Sequence, residues 1–333
     1  MSAYDLLTSV VPNFFYSQLF ITPKKPTTDC TGKTIIVTGA NTGLGKEAAR
    51  HFVRLGAEKV IIACRNVQKG EAAKKDIASS GASTVIEVWQ LDLQDYDSVK
   101  AFAKRANSLK RLDIVLENAG INTQNYVAVG GNESTITVNV VSTFLLALLI
   151  LPKLQETAKV HNITPNLCIV SSDVHFMTQF NERKSPAIFD TLNDPKQANM
   201  MGRYPLSKLL EVLACREIAR EHPVTDFRAT LNFLTPGLCK SELLRDDVPA
   251  VLRPIVNLFM LLARTTEVGA RTLVISATAG PETHGKYFAD GKVTRCANLV
   301  EGPEGPDMQR RVWAELAEKL EQIEPGVTKV LDA

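Results

Sequence analysis

The sequence has no CxxC pair and no Cys/His cluster at zinc-ligand spacing. Its six cysteines (30, 64, 168, 215, 239 and 296) stand far apart, so no structural metal is expected. Several sit in apolar runs, as reduced core thiols do, which points to a reducing, cytoplasmic setting. There is no surplus of one charge either. Lys and Arg number 38 against 36 Asp and Glu, a net +2, too little to attract nucleic acid through a general field. No apolar run reaches the roughly 20 residues of a transmembrane segment. The stretch from Tyr4 to Ile21 is interrupted by Asp5, Pro12, Asn13, Ser17 and Gln18 and lacks the basic start of a secretory signal. It reads as an N-terminal extension over residues 1–30 that packs on the domain or touches a membrane surface. The run from Phe144 to Leu151 is too short to span, ends at Pro152, and reads as a buried helix.

What is present is a regular alternation. Hydrophobic residues make up 45% and charged residues 22% of 333, globular values for a chain long enough to bury about 75% of its unfolded surface. Strand-like runs at Thr34–Thr38, Lys59–Ala63, Val85–Leu91, Asp113–Leu116, Leu167–Val170 and Arg228–Phe233 alternate with helical spacing at 45–55, 68–79 and 97–108. Near-continuous apolar strands separated by helices imply a parallel sheet covered on both faces. The right-handed crossover rule makes this a doubly wound α/β fold, with its ligand site at the carboxyl ends of the strands. With no repeat, low-complexity tract or linker to divide it, the chain is expected to form a single domain over residues 31–330.

Directly after the first strand comes Thr38-Gly39-Ala40-Asn41-Thr42-Gly43-Leu44-Gly45, followed by a helix. Glycines there permit a tight turn and close backbone approach to a pyrophosphate, which the helix N-terminus attracts. Arg65 closes the second strand 20 residues beyond Gly45. A carboxylate at that place holds a ribose 2′-OH, whereas a guanidinium accommodates a 2′-phosphate, so the expected cofactor is NADP, with Lys69 adding charge. The competing reading of Arg65 is a solvated strand end.

Tyr204 and Lys208 lie four apart, on one face if helical. A tyrosine with a free pKa near 10 exchanges protons poorly at neutral pH, and a neighbouring ammonium stabilises the tyrosinate. Alone, that pair is common by chance. With the glycine turn, Asp92 after the third strand, Asn118-Ala119-Gly120, Asn139 in a helical run, Ser171-Ser172, and Pro236-Gly237, the chain resembles the short-chain dehydrogenase/reductases. It is most similar to their retinol-dehydrogenase-like branch and to reductases of fungal specialised metabolism.

That resemblance implies a Rossmann fold and roles for individual residues. Gly39, Asn41, Gly43, Leu44 and Gly45 would hold the phosphates, Asp92 would contact the adenine, and Asn118 with Ala119 would line the cofactor path. Ser172 would bind the substrate oxygen, with Ser171 as the alternative. Tyr204 would move the proton, Lys208 would hold the nicotinamide ribose, and Asn139 would anchor a water in the relay. Pro236-Gly237 would turn beside the nicotinamide, with Ser241 reaching its amide. Asn139 could instead satisfy backbone groups, and Asp92 could cap its own segment. His175 reads as structural or pocket-lining. Glu117 departs from the family, standing where many members carry a second Asn. The spacing from Ser172 to Tyr204, 32 residues, is long. Lid segments are expected over about 173–203 and 242–264, both rich in apolar residues.

The expectation is an NADPH-dependent oxidoreductase, a ketoreductase acting reversibly on the carbonyl or alcohol of an apolar small molecule, with a homodimer as one candidate assembly. Rival readings keep the fold but perform dehydration or isomerisation, act as a retinoid or steroid dehydrogenase, or bind cofactor without catalysis.

Overall fold

The computed structural model describes residues 11–78, 83–241, 243 and 260–332. Its strands are β1 (Thr34–Thr38), β2 (Lys59–Cys64), β3 (Val85–Gln90), β4 (Ile114–Glu117), a small hairpin of β5 (Ala128–Val129) and β6 (Asn132–Glu133), then β7 (Asn166–Val170), β8 (Thr230–Leu234), β9 (Tyr287–Ala289) and β10 (Lys292–Thr294). The main sheet runs β10-β9-β8-β7-β4-β1-β2-β3. Every pairing in it is parallel except the terminal β9–β10 hairpin. The strand order doubles back at β1, between β4 and β2, as the doubly wound reading requires.

Both faces of each central strand are apolar because both are covered. Ile35, Val37, Val60, Ile62, Ile114 and Leu116 enter one core, while Ile36, Ile61, Ala63 and Val115 enter the other. The first core is closed by helices α2 (Gly43–Arg54), α3 (Val67–Ala78) and α7 (Thr266–Ala277). The second is closed by α4 (Tyr96–Asn107), α5 (Thr143–His161), α6 (Met200–Glu221) and α8 (Gly305–Ile323). All six cysteines are buried and unpaired.

Three boundaries move for identifiable reasons. The apolar run does not stop at Pro152: α5 continues through it to His161. A proline inside a helix costs about 3 kcal/mol. Leu148, Leu151 and Leu154 around it are 0–3% exposed, and each buried leucine returns about 1.5–3 kcal/mol, so packing wins. Strand β8 begins at Thr230 rather than Arg228, because Arg228 adopts a left-handed φ of 55° that ends the short helix Val224–Phe227. Strand β4 begins after Asp113, whose carboxylate accepts from Thr34 N at 2.9 Å and pairs with Arg111. Among the described residues one helical stretch, Ser134–His161, is long and apolar enough to cross a membrane, but nearly all of it lies inside the protein.

The N-terminal helix α1 (Val11–Phe20) packs on the domain. Two of the polar residues that break its apolar run, Ser17 and Gln18, dock it. The Gln18 side chain donates to Leu238 O (3.0 Å) and Leu262 O (3.2 Å), and Leu238 N donates back to its Oε1 (3.2 Å). Ser17 Oγ donates to the Asp290 carboxylate at 2.8 Å. Arg264, with a side chain 5% exposed, joins Asp290 (2.6 Å), Ser17 O (2.9 Å) and Ile21 O (2.9 Å).

Candidate active site

The carboxyl ends of the parallel strands converge on one edge of the sheet, and a cleft of about 790 Å³ opens there. At the end of β1, Gly39 and Gly43 take positive φ angles of 64° and 58°. A Cβ on Gly45 would stand 2.5 Å from Asn118 Nδ2 and 2.7 Å from Gly39 O, so the approach of helix to strand leaves no room for a side chain. Thr42 places no side-chain cap on α2, which leaves the first-turn N–H groups open to an anion. Asn118 locks this turn to β4: its side chain donates to Thr38 O at 2.9 Å, and the Asn118 and Ala119 amides donate to Thr38 Oγ1, each at 2.9 Å.

Arg65 and Lys69 lie exposed just past β2. Among the described residues neither side chain has an ion-pair partner, so the Arg65 fork is unclaimed. Asp92, half-buried past β3, accepts from Gln94 N at 3.0 Å; it therefore caps its own segment with one oxygen. The glycines of the turn, Asn41, Arg65, Lys69, Asp92 and Ala119 sit along the same edge but outside the cleft lining, whereas Leu44, Asn118, Ser172, Tyr204, Lys208, Pro236, Gly237 and Ser241 line it.

The chemistry-bearing group is compact. Ser172 follows β7; its Oγ accepts from Val174 N at 3.3 Å, and it lies within hydrogen-bonding reach of the Tyr204 phenol. Ser171 is committed elsewhere, donating to Lys208 O at 2.9 Å, so Ser172 is the serine presented to the tyrosine. His175 holds the Ser172 turn: Nδ1 is 2.6 Å from Ser172 O, and Nε2 accepts from Ala297 N at 3.1 Å. Burial lowers its pKa to about 4, so it is neutral at pH 7 and carries its proton on Nδ1.

Asn139 lies in a π-helical stretch, Thr137–Ser142. Its Oδ1 accepts from Ile121 N and its Nδ2 donates to Ile121 O, both at 2.9 Å, and Nδ2 also reaches Ser207 Oγ at 3.0 Å. Ser207 Oγ donates to Tyr204 O at 2.8 Å. Asn139 thus fastens the loop after β4 to the tyrosine's helix. Burial pushes the Tyr204 phenol above its usual range, the Glu211 and Asp173 charges push the same way, and the Ser172 hydrogen bond pulls it back. The sequence suggests that Lys208 should draw it down. Here the ammonium lies 5.7 Å from the ring centroid and bonds Glu211 Oε1 (2.7 Å) and Val170 O (2.8 Å).

The cleft walls are largely apolar. From the 173–203 segment, Phe176, Met177 and Met201 face the cleft, while Phe180, Ile188, Phe189 and Leu192 are buried in the core beside α8. That segment is half wall and half core excursion. Of the 242–264 segment, residues 242 and 244–259 lie outside the described residues. Leu243 lines the cleft, Ala263 is buried, and Arg264 holds the N-terminal arm. The wall that sequence reasoning missed is α1 itself: Val11, Asn13, Phe14, Phe15 and Ser17 line the cleft. The only signal for this in the sequence was an apolar stretch broken by polar residues.

The family model for short chain dehydrogenases matches residues 33–178. The short chain dehydrogenase/reductase dmxR8 of Cryptosporiopsis sp. is 49% identical over 322 residues, 95% of this chain and 98% of its own. The short chain dehydrogenase atnD of Emericella nidulans is 48% identical over 288 residues, 85% of this chain and 91% of its own. Among solved structures, an uncharacterised protein from Mycobacterium Paratuberculosis matches with a TM-score of 0.66 at 26% identity, over 90% of this chain and 98% of that one. A 3-oxoacyl (acyl-carrier-protein) reductase from Agrobacterium tumefaciens, solved with NADP bound, shares the fold with a TM-score of 0.56 at 17% identity, over 78% and 93%. The glycine turn, Asn139 and Ser172 lie within the stretch that the family model matches and the Tyr204–Lys208 pair beyond it, and with relatives 49% and 48% identical over most of its length the chain belongs to the short-chain dehydrogenase/reductase family.

Proposed function

We propose that this oxidoreductase uses NADPH to reduce the ketone or aldehyde of an apolar small molecule, reversibly, within specialised metabolism. The observation that carries the reading is the meeting of Ser172, Tyr204 and Lys208 in one apolar-walled cleft at the strand ends. The residues present fit a nicotinamide dinucleotide. Gly45 has no space for a Cβ, α2 offers an open N-terminus, and Arg65 is an exposed guanidinium with no ion-pair partner among the described residues, where a 2′-phosphate would lie.

When bound, the nicotinamide supplies the hydride. The turn from Gly39 to Gly45 and the α2 N-terminus would hold its phosphates, and Arg65 with Lys69 would hold a 2′-phosphate. Asp92 would offer one oxygen to the adenine, Pro236-Gly237 and Ser241 would meet the nicotinamide, and Lys208 would give its remaining donor to ribose hydroxyls. Ser172 donates a hydrogen bond to the substrate oxygen and fixes the carbonyl. Tyr204 gives its phenolic proton to that oxygen as the alkoxide forms. His175 keeps the Ser172 turn in place without exchanging protons near pH 7. Phe14, Phe15 and Phe176 wall the cleft and favour an apolar substrate, with Met201 at its exposed rim.

NADPH and NADH titration by nicotinamide fluorescence tests the cofactor assignment. Tight NADPH binding is expected, and Arg65→Asp should weaken it about 10- to 100-fold, the value of one charge-assisted hydrogen bond of about 1.5–3 kcal/mol, while NADH binding holds or improves. Equal binding of the two by the unaltered protein would overturn the Arg65 assignment. Transfer of label from 4-labelled NADPH into product separates reduction from dehydration or isomerisation, which leave no label behind.

A further inference from the structure

Among the described residues four charged side chains line the cleft, and three of them are already engaged. Lys208 bonds Glu211 Oε1 at 2.7 Å, Asp290 bonds Arg264 at 2.6 Å, and Arg295 donates to Asn298 Oδ1 at 2.6 Å. The fourth is Asp173, half-buried and directly after Ser172. Its backbone is fixed, because its N–H donates to Thr235 Oγ1 at 3.1 Å. Its carboxyl accepts one side-chain hydrogen bond, a long one from Ser172 Oγ to Oδ1 at 3.3 Å. The Arg264 charge favours it, but that guanidinium is committed to Asp290.

Beside Asp173 lies a second unmet group. Tyr287 on β9 lines the same cleft, is 2% exposed, and its Oη has no hydrogen-bond partner. Thr235 and Asp173 both come close enough to bear on that phenol, yet neither bonds it. With the His175 ring edge-on at 5.0 Å and the Phe233 ring at 5.8 Å between centroids, the tyrosine ring is wedged in place.

Substrate binding sharpens the deficit. When Ser172 turns its proton to the substrate oxygen, the Asp173 carboxyl loses its one side-chain donor. An apolar substrate body also displaces water from this wall, and a polar group left buried and unmet costs more than an ordinary hydrogen bond contributes. The carboxyl then needs a donor and the phenol an acceptor. A hydroxyl supplies both, giving its proton to Asp173 and accepting from Tyr287. A carbonyl lacks the proton, and an ammonium lacks the lone pair. We propose that Asp173 and Tyr287 form a specificity subsite, and that the substrate is a hydroxyketone rather than a plain apolar ketone. Ser172 Oγ and Asp173 Oδ1 are 3.3 Å apart, so the hydroxyl stands one or two carbons from the reacting carbonyl. This rests on the reading of Ser172 and Tyr204 as the groups that bind the carbonyl, and it narrows the substrate class. Ionised or neutral, the carboxyl keeps an acceptor oxygen, so the subsite does not depend on its charge.

The test uses two pairs of ketones whose members differ by one hydroxyl: deoxybenzoin with benzoin, and 4-phenylbutan-2-one with 4-hydroxy-4-phenylbutan-2-one. Initial rates of NADPH oxidation by the full chain give kcat/KM for each. In at least one pair the hydroxylated member should be favoured about tenfold or more, the value of one good hydrogen bond to a charged group. Asp173→Ala should erase that preference by slowing only the hydroxylated member. Asp173→Asn keeps an acceptor oxygen and should retain part of it, a rescue that a merely structural role would not produce. Tyr287→Phe should shrink the preference and leave the unfolding midpoint unchanged, because its oxygen has no partner to lose. No preference in either pair overturns the proposal, as does a preference that survives Asp173→Ala. Should Asp173→Ala not fold, an undiminished preference in both Asp173→Asn and Tyr287→Phe overturns it instead. If no ketone is reduced, the four compounds are compared as ligands of the NADPH-bound chain by saturation-transfer NMR, and absent or equal binding within both pairs overturns it. The two readings fail separately. Reduction without hydroxyl preference removes only the subsite, whereas hydroxyl-dependent binding with no hydride transfer to any of the four keeps the subsite and removes carbonyl reduction.

Discussion

Tyr204→Phe is expected to lower kcat for carbonyl reduction by about 10³-fold, within the range of about 10²–10⁴ that a positioned general acid contributes. The substitution removes one oxygen and keeps the ring, which lies half-buried beside Ser172 and Lys208. The helix is unaffected, because Asn139 and Ser207 secure its backbone independently of the phenol. NADPH binding should persist, since Lys208, the glycine turn and Arg65 remain. Steady-state kinetics beside a fluorescence titration checks both halves. Undiminished turnover would remove Tyr204 from the proton step, whereas loss of binding together with turnover would point to a structural role.

Arg264→Ala should be the most destabilising single change among the predictions. The guanidinium is almost fully inside the protein, with Asp290 at 2.6 Å and the carbonyls of Ser17, Ile21 and Pro236 at 2.9, 2.9 and 3.3 Å. Removing it leaves Asp290 without its cation, and breaking a buried pair in this way costs about 3–5 kcal/mol. Arg264→Lys keeps the charge but lacks the planar fork that serves several acceptors at once, and should recover only part of the loss. Chemical denaturation measures the stability, and limited proteolysis reads release of the α1 arm. Because α1 walls the cleft, KM for the apolar substrate should rise more than kcat falls. A midpoint close to that of the unaltered protein would show that Gln18 and the Ser17–Asp290 hydrogen bond hold the arm without Arg264.

The legible parts of this protein were those written locally. Strand β1 and the turn after it could be read because each residue's role follows from its immediate neighbours: a β-branched strand with an apolar centre, then glycines where backbone and helix approach. The Tyr204–Lys208 pair was legible because four residues make one helical turn. What escaped notice depends on residues far apart in the chain. Gln18 meets Leu238, and Ser17 meets Asp290, across more than 200 positions, so nothing around residue 15 announces a substrate wall. Asn139 satisfies the Ile121 backbone, as one of its two readings has it, and through Ser207 it also braces the helix of Tyr204, a link that no local pattern announces. Ser172 could be told from Ser171 only once the strand register had turned Ser171 toward α6. The continuation of α5 through Pro152 was hidden because local propensity forbids what core packing permits.

The six buried cysteines have a use unrelated to catalysis. Cys30, Cys64 and Cys168 lie in the core on one side of the sheet, Cys215 and Cys296 in the core on the other, and Cys239 beside the cleft. Burial raises the pKa of every one of them, and only the thiolate reacts readily with a disulfide reagent. Each thiol is therefore silent until its own surroundings breathe. The rate at which each sulfur is modified becomes a clock for local opening, read separately on the two sides of the sheet without any label having been added.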